Sequence, residues 1–557
     1  MLNKFKTLVV GPGGANDCEP PPDPGKPGVV LDMADSAWVA GIIPGAETPR
    51  FPYARPEFLL LTSEEEVSLS GDQATRPVLV PKDPTRVPLF AGYAETINAG
   101  KTLQNEDQAC ARSVQIVSRC TDRRPERKTT PSTDTTTEEA EEVKDESTSA
   151  PVDDDDTLLL PGTDEPRAET SLQCAMDGFR EEAIVFGVFD GHAGSGAALF
   201  AANCLHEHIK SKLSEVLDLV VHLDRQEILL GYVRDAASRE NAQLESRLAI
   251  STLGGKTITR DNLVIGALET AFVDMDDQVQ EEKLYWKIPG GCAATVALFF
   301  MQRLYVANAG DCRALLCFQD GSYRQLSTDF TPDVERKRLQ HTAFVYPDFA
   351  AKHYSRLEYS RRLGKKDLRK RVFYRDWFMD GWAQKTVKEG DLRPPLISDS
   401  SKKPRLLNTI GVTRGFGDHH LVTAEHNIPI KPFLTPMPEV QVWDLGGIAG
   451  GEAEEVMELD VLVLATDGLW DVLGNEEVSH IVQNTLRQYP EDDITKYTLA
   501  AQDLVVRARG QPTESGAWKV DSGATGVAST DDVTVFVIPL KYALSPPAPE
   551  EDDEMLQ

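Results

Sequence analysis

Two apolar, β-branched runs, Thr295 to Met301 and Leu304 to Ala309, are separated by only Gln302 and Arg303. So short a link demands an antiparallel hairpin, because a parallel crossover needs a dozen residues or more. Ala183 to Phe189, Val461 to Ala465 and Val533 to Pro539 also read as strands. Apolar residues recur at helical spacing in Gly196 to Leu217, Asn262 to Val279, Glu476 to Arg487 and Thr498 to Arg507. Antiparallel strands with long helices define an α+β layered fold.

The ordered chain is expected to span 51–544, beginning with the segment Phe51 to Phe58. Residues 1–50 read as a disordered arm, Gly-, Pro- and Asp-rich from residue 11 on. Residues from about 121 to 170 are dense in Thr, Ser, Glu and Asp and bury too little apolar surface to offset their ordering entropy. They read as a disordered acidic insertion, and 545–557 as an acidic tail. Wound as a helix, Met1 to Val10 would place Leu2, Phe5 and Val9 beside Lys4 and Lys6, a short basic amphipathic segment able to touch an anionic membrane. Ten residues are marginal for a helix alone, so a frayed terminus is the alternative.

The formal net charge of the 557 residues is −31, which argues against nucleic acid as a partner, because phosphates repel an acidic surface. Divalent metals or basic partner surfaces suit such a chain, and solubility alone is the simpler account. No apolar run reaches the roughly 20 residues needed to cross a bilayer. The eight cysteines contain no Cys-x-x-Cys pair, so neither a zinc cage nor a disulfide framework is suggested. An intracellular, reducing compartment is expected: cytoplasmic, with nuclear or peripheral membrane placement as alternatives.

Acids fall where the strand runs stop. Asp190 follows Ile184 to Phe189, Asp311 follows Tyr305 to Gly310, and Asp467 follows Val461 to Thr466. Asp531 and Asp532 precede Val533 to Ile538, while Glu106 and Asp107 follow a Gly-containing turn at Asn98 to Gly100. One such acid is often only a turn residue. If all these strand ends converge, the carboxylates could not stay ionised side by side without cations. Oxygen ligands suit hard ions, favouring Mg²⁺ or Mn²⁺ over Zn²⁺. Four carboxylates balance two divalent ions, and a pair about 3.5–4 Å apart can activate a bridging water.

Five segments are similar to signatures of the protein phosphatase 2C class, in that family's order. They are Val185-Phe-Gly-Val-Phe-Asp-Gly-His-Ala-Gly194, Leu304-Tyr-Val-Ala-Asn-Ala-Gly-Asp-Cys-Arg313, Gly411-Val-Thr-Arg-Gly-Phe-Gly-Asp418, Leu464-Ala-Thr-Asp-Gly-Leu-Trp-Asp471 and Ser529-Thr-Asp-Asp-Val-Thr-Val535. The resemblance runs from about Asn98 to Pro539, and Phe51 to Phe58 and Tyr497 to Leu504 are similar to the H/J/M branch of the class. It implies a four-layer α-β-β-α sandwich of two antiparallel sheets flanked by helices, with a binuclear metal site at one end. It further implies hydrolysis of phosphoserine and phosphothreonine in phosphoprotein substrates, by in-line attack of a metal-bridging hydroxide with no covalent intermediate.

Residue by residue, Asp107, Asp190, Asp467 and Asp531 match the family's metal-binding aspartates, and Gly191 the glycine whose carbonyl faces the metals. Glu106 matches an acid that reaches metal-bound water. Asp311 and Asp471 match positions linked to a weaker third metal beyond the two Mn²⁺ or Mg²⁺ ions. His192 matches a residue proposed to protonate the departing alcohol; a brace for the Asp-Gly turn is its alternative role. Where many relatives carry a phosphate-gripping arginine, Thr102 stands here, with Lys101 beside it as a point charge able to approach the phosphate or simply to face solvent. The stretch from about 333 to 405, rich in Lys, Arg, Tyr and Trp, falls where the family has a flap, and is enlarged. It is expected to contact the substrate protein, a solvated basic insertion being the alternative.

Three look-alikes are set aside. Cys174 to Arg180 has the Cys-x5-Arg spacing of tyrosine phosphatases, but Asp177 stands where phosphate must approach and would raise the thiol pKa. Gly100-Lys101-Thr102 and Gly255-Lys256-Thr257 resemble a P-loop ending, but Glu95 and Ile250 replace the earlier glycine. A pseudophosphatase scaffold of the same fold is the second reading. Such scaffolds lose metal-binding aspartates, whereas the four core ones are present. An enzyme for small phosphate esters is the third.

Overall fold

The computed structural model describes residues 51–118, 179–236, 252–253, 256–286, 288–350, 352–398, 403–446, 456–514, 517–520 and 526–544. The N-terminal arm, the acidic insertion, the acidic tail and the Cys174 look-alike lie outside them.

The main strands, in chain order, are β1 (Gly92–Thr96), β2 (Gln108–Val117), β3 (Arg180–His192), β4 (Gly291–Phe300), β5 (Arg303–Ala309), β6 (Arg313–Cys317) and β7 (Tyr323–Gln325). They continue as β8 (Glu358–Tyr359), β9 (Arg371–Arg375), β10 (Ala383–Thr386), β11 (Glu439–Asp444), β12 (Val461–Ala465) and β13 (Val533–Pro539). The main helices are α1 (Gly196–Ala236), α2 (Arg260–Trp286), α3 (Arg336–Val345), α4 (Asp467–Trp470), α5 (Asn475–Leu486) and α6 (Thr495–Arg509).

Two antiparallel sheets carry the fold, in the orders β1-β13-β12-β6-β7 and β11-β5-β4-β3-β2. Period-two alternation sorts their side chains. On β12, Val461, Val463 and Ala465 face the α5–α6 layer, while Leu462 and Leu464 face the other sheet. On β3, Val185 and Phe189 pack under α1 and α2, while Phe186 and Val188 point to the sandwich interior. Three apolar layers therefore separate four layers of secondary structure, in the order α-β-β-α. Strands buried on both faces explain why β12 and β13 are nearly continuous apolar runs.

The β4–β5 hairpin turns at Met301 and Gln302, one residue earlier than the sequence suggested. Both have positive φ (49° and 59°), as a tight turn matched to strand twist requires. Strand β3 also runs past its apolar stretch, so that Asp190 and His192 are paired within the sheet, opposite Ala293 and Gly291 of β4. Between β7 and β11, strands β8–β10 form a small separate sheet. Beside it Leu339 of α3, Tyr354, Leu406 and Phe433 share a core of their own.

Candidate metal centre

Antiparallel pairing forces alternate strand ends to one edge. Gln108 at the start of β2 pairs with Phe189 near the end of β3, and Ala294 near the start of β4 pairs with Ala309 at the end of β5. In the other sheet Ala465, ending β12, pairs with Val535 near the start of β13 and with Arg313, starting β6. All the strand-end acids singled out in the sequence therefore gather at one end of the sandwich.

Carboxylate oxygens of Asp190, Asp311 and Asp467 lie within 4.8 Å of one another. Together with Asp531, Gly191, His192 and Lys101 they line a cleft of about 300 Å³. Burial raises the Asp190 pKa well above the usual carboxylate range, and Asp467, Asp107, Asp311 and Asp531 add to it through space. Burial, then Asp467, pushes Asp311 up to about 7. Two ammoniums answer part of this negative charge: Lys101 pairs with Asp531, and Lys403 reaches Asp467 at 3.2 Å and Asp471 at 2.6 Å.

Asp107 stands one layer back. It is 2% exposed, does not line the cleft, and its Oδ2 accepts the Thr466 hydroxyl at 2.7 Å. Burial, then Asp532, raises its pKa well above normal. The Oε1 atom of Glu106 accepts from the Gly194 amide at 2.7 Å, and burial raises this carboxyl too. Of the adjacent pair, Asp531 faces the cleft while Asp532 braces the loops. Its carboxylate accepts the Asn98 amide at 2.8 Å and the Glu106 amide at 3.0 Å. Gly191 has a steric reason, since a Cβ there would lie 2.3 Å from the Glu106 carbonyl oxygen.

Thr102 does not reach the cleft. Its hydroxyl donates to the Gln104 carbonyl at 2.7 Å and accepts from Asn98 at 2.8 Å, both inside its own loop. Arg405, which sequence reasoning passed over, lines the cleft and donates to the Thr409 carbonyl at 2.9 Å. Two buried arginines were likewise missed. Arg55 grips Glu95 through two bonds (2.7 and 2.6 Å) and donates to the Asp107 carbonyl at 2.7 Å. Arg76, fully buried, donates to the carbonyls of Ile97, Ser529 and Asp531 at 2.6, 2.7 and 2.8 Å. They fix the backbones that carry Asp107 and Asp531. Of the two, only Arg55 left a trace in the sequence, in the Phe51 to Phe58 segment.

His192 Nε2 lies 2.7 Å from Asp418 Oδ2. Burial pulls the imidazole pKa down, but this carboxylate outweighs it and the net shift is upward.

The protein phosphatase 2C family model matches residues 255–389 and 395–515, which include Asp311, Asp467 and Asp471. Human Protein phosphatase 1H is 39% identical over 542 residues, covering 92% of this chain and 96% of that protein. Zebrafish (Danio rerio) Protein phosphatase 1H is 40% identical, covering 90% and 94%. Human Protein phosphatase 1J is 36% identical, covering 97% and 99%. The chain belongs to the protein phosphatase 2C family of protein serine/threonine phosphatases. Its similarity to the 1H and 1J relatives extends over nearly the whole length, as the H/J/M resemblance implied.

Proposed function

We propose that the chain hydrolyses phosphoserine and phosphothreonine in proteins at this cleft, using two Mg²⁺ or Mn²⁺ ions. The carrying observation is the crowding of three carboxylates within 4.8 Å. An all-oxygen donor set with so much negative charge fits hard divalent cations. Asp190, Asp467 and Asp531, with the Gly191 carbonyl, would hold the ions. Asp107 and Glu106 would act from one layer back, and Asp311 with Asp471 would serve a weaker third ion. When bound, the ions lower the pKa of water and neutralise phosphoryl charge, which permits direct in-line hydrolysis without a covalent intermediate.

The chain's own groups do the rest. Lys101 and Arg405 place positive charge at the cleft wall, where a phosphoryl group must enter. Lys101 supplies a point charge, without the planar fork of the arginine found in relatives. His192, whose pKa is held up by Asp418, donates a proton to the departing alcohol oxygen. The enlarged flap suits a protein substrate. Its arginines are largely engaged within it, Arg356 with Asp376, Arg361 with Asp367 and Arg375 with Glu358. Outward it offers aromatics, Phe344, Phe373, Phe378 and Trp382, and cations such as Arg362, Lys366, Arg369 and Lys370. Free, buried cysteines such as Cys110, Cys292 and Cys312 suit a reducing compartment, cytoplasmic or nuclear.

Calorimetric titration of EDTA-treated protein with Mn²⁺ tests the reading. Two tight sites are expected, with loss of at least one in Asp190→Ala and a fall in phosphopeptide turnover of about 100-fold or more. Absence of tight sites would favour the scaffold reading instead.

A further inference from the structure

Among the five signature segments, Gly411 to Asp418 is the one whose acid is not expected to hold a metal, and it needs another task. The sheet register supplies one. Gly291 of β4 is flanked on one side by His192 of β3 and on the other by Gly417. Asp418, the next residue, reaches across Gly291 to His192. A Cβ at position 291 would lie 2.4 Å from Asp418 Oδ2, so the path exists only because residue 291 is glycine.

The turn that presents Asp418 is held from several directions. Gly415, Gly417 and Asp418 all have positive φ (148°, 84° and 55°), which costs the glycines little but persists at Asp418 only where its surroundings impose it. The Asp418 amide donates to the Gly290 carbonyl at 2.9 Å. On the far side Asp276 of α2, itself 3% exposed, accepts the Gly417 amide at 2.8 Å and contacts His419 Nε2 at 3.0 Å and Lys431. A long helix and a sheet edge thus clamp one carboxylate, 4% exposed at its side chain, against one imidazole that is 34% exposed.

We propose that Asp418 is a positioning residue for phosphoester cleavage: it holds His192 through Nε2 and leaves Nδ1 for the departing oxygen. The inference rests on the reading of His192 as proton donor. In that step the bond from phosphorus to the serine oxygen breaks and its electron pair stays on oxygen. The Nδ1 proton then completes the alcohol, while the Nε2 proton remains on its bond to Asp418. Such a fixed orientation matters for alkyl esters, whose leaving group is a strong base, and far less for 4-nitrophenyl phosphate, whose leaving group departs as an anion.

The test compares full-length protein and the variants His192→Ala, Asp418→Asn and the double variant, saturated with Mn²⁺, on a phosphoserine peptide and on 4-nitrophenyl phosphate. Asparagine tolerates the left-handed backbone as well as aspartate does, so Asp418→Asn should fold. Asp418→Ser is the substitute if its thermal transition is lost. His192→Ala is expected to lose roughly 100-fold or more in kcat on the peptide and about tenfold or less on the nitrophenyl ester. Asp418→Asn should lose roughly 10- to 100-fold on the peptide and under about threefold on the ester, and the double variant should be no worse than His192→Ala alone. If His192→Ala discriminates between the esters but Asp418→Asn slows both equally, or the losses multiply, this inference fails alone. If His192→Ala shows no discrimination, the proton-donor reading falls and the inference with it.

Discussion

At the scale of single residues, the site is shaped by close approach as much as by charge. Gly191 lies where the backbone of β3 crosses that of Glu106, and any Cβ would sit 2.3 Å from a carbonyl oxygen. Gly191→Ala should therefore force the Glu106–Asp107 loop aside. It is expected to cost about 1–3 kcal/mol in urea unfolding and to weaken Mn²⁺ binding as well. Arg55 makes a different kind of contribution. Its Arg55→Ala variant leaves Glu95, which is 0% exposed, as a buried charge without its guanidinium. A loss of about 3–5 kcal/mol in the same assay is expected. The acids of the cleft were legible because each abuts a strand, so the local sequence marks them. Arg76 and Arg405 were not, and Asp418 stood in a signature segment with nothing to mark its partner His192, 226 positions away. Arg76 donates to a carbonyl 453 positions away, and no periodicity encodes a partner at that distance.

At the scale of elements, the sequence was most informative where one run of residues decides the outcome. Strands β12 and β13 coincide with their apolar runs, because both faces of each are covered and alternation is unnecessary. Strand β3 was read too short, since Asp190, Gly191 and His192 have no apolar signal and are extended only by pairing with β4. Helix α1 runs to Ala236, well beyond the Leu217 that spacing suggested. Within the stretch expected to form a flap, the three-stranded sheet was not legible, because its strands of two to five residues are held by tertiary contacts. Its exposed aromatic face gives a prediction at this scale. Replacing Phe378 and Trp382 together with alanine should raise KM for a phosphoprotein substrate several-fold and leave hydrolysis of a small aryl phosphate unchanged. Equal effects on both would remove the flap from substrate binding.

At the scale of the whole molecule, the crowded acids oppose folding when no cation accompanies them. Burial and neighbouring carboxylates hold Asp311 at about 7 and Asp532 at about 6, with Asp107 and Asp190 well above the ordinary range. Each binds its proton more tightly folded than unfolded. The stability they contribute is therefore full below the unfolded carboxylate pKa of about 4, and is lost as pH rises through 6 to 7. Protein stripped with EDTA should melt at a lower temperature at pH 8 than at pH 6. Saturating Mn²⁺ should narrow or reverse that difference, because metal binding displaces those protons. Strand β13 lies between β1 and β12 in its sheet, and Asp531 precedes it. A chain cut ahead of Asp531 thus lacks both an interior strand and a wall of the cleft. Removing the chain from Asp531 onward should therefore abolish Mn²⁺ binding and turnover together, rather than lower them in proportion to the length removed.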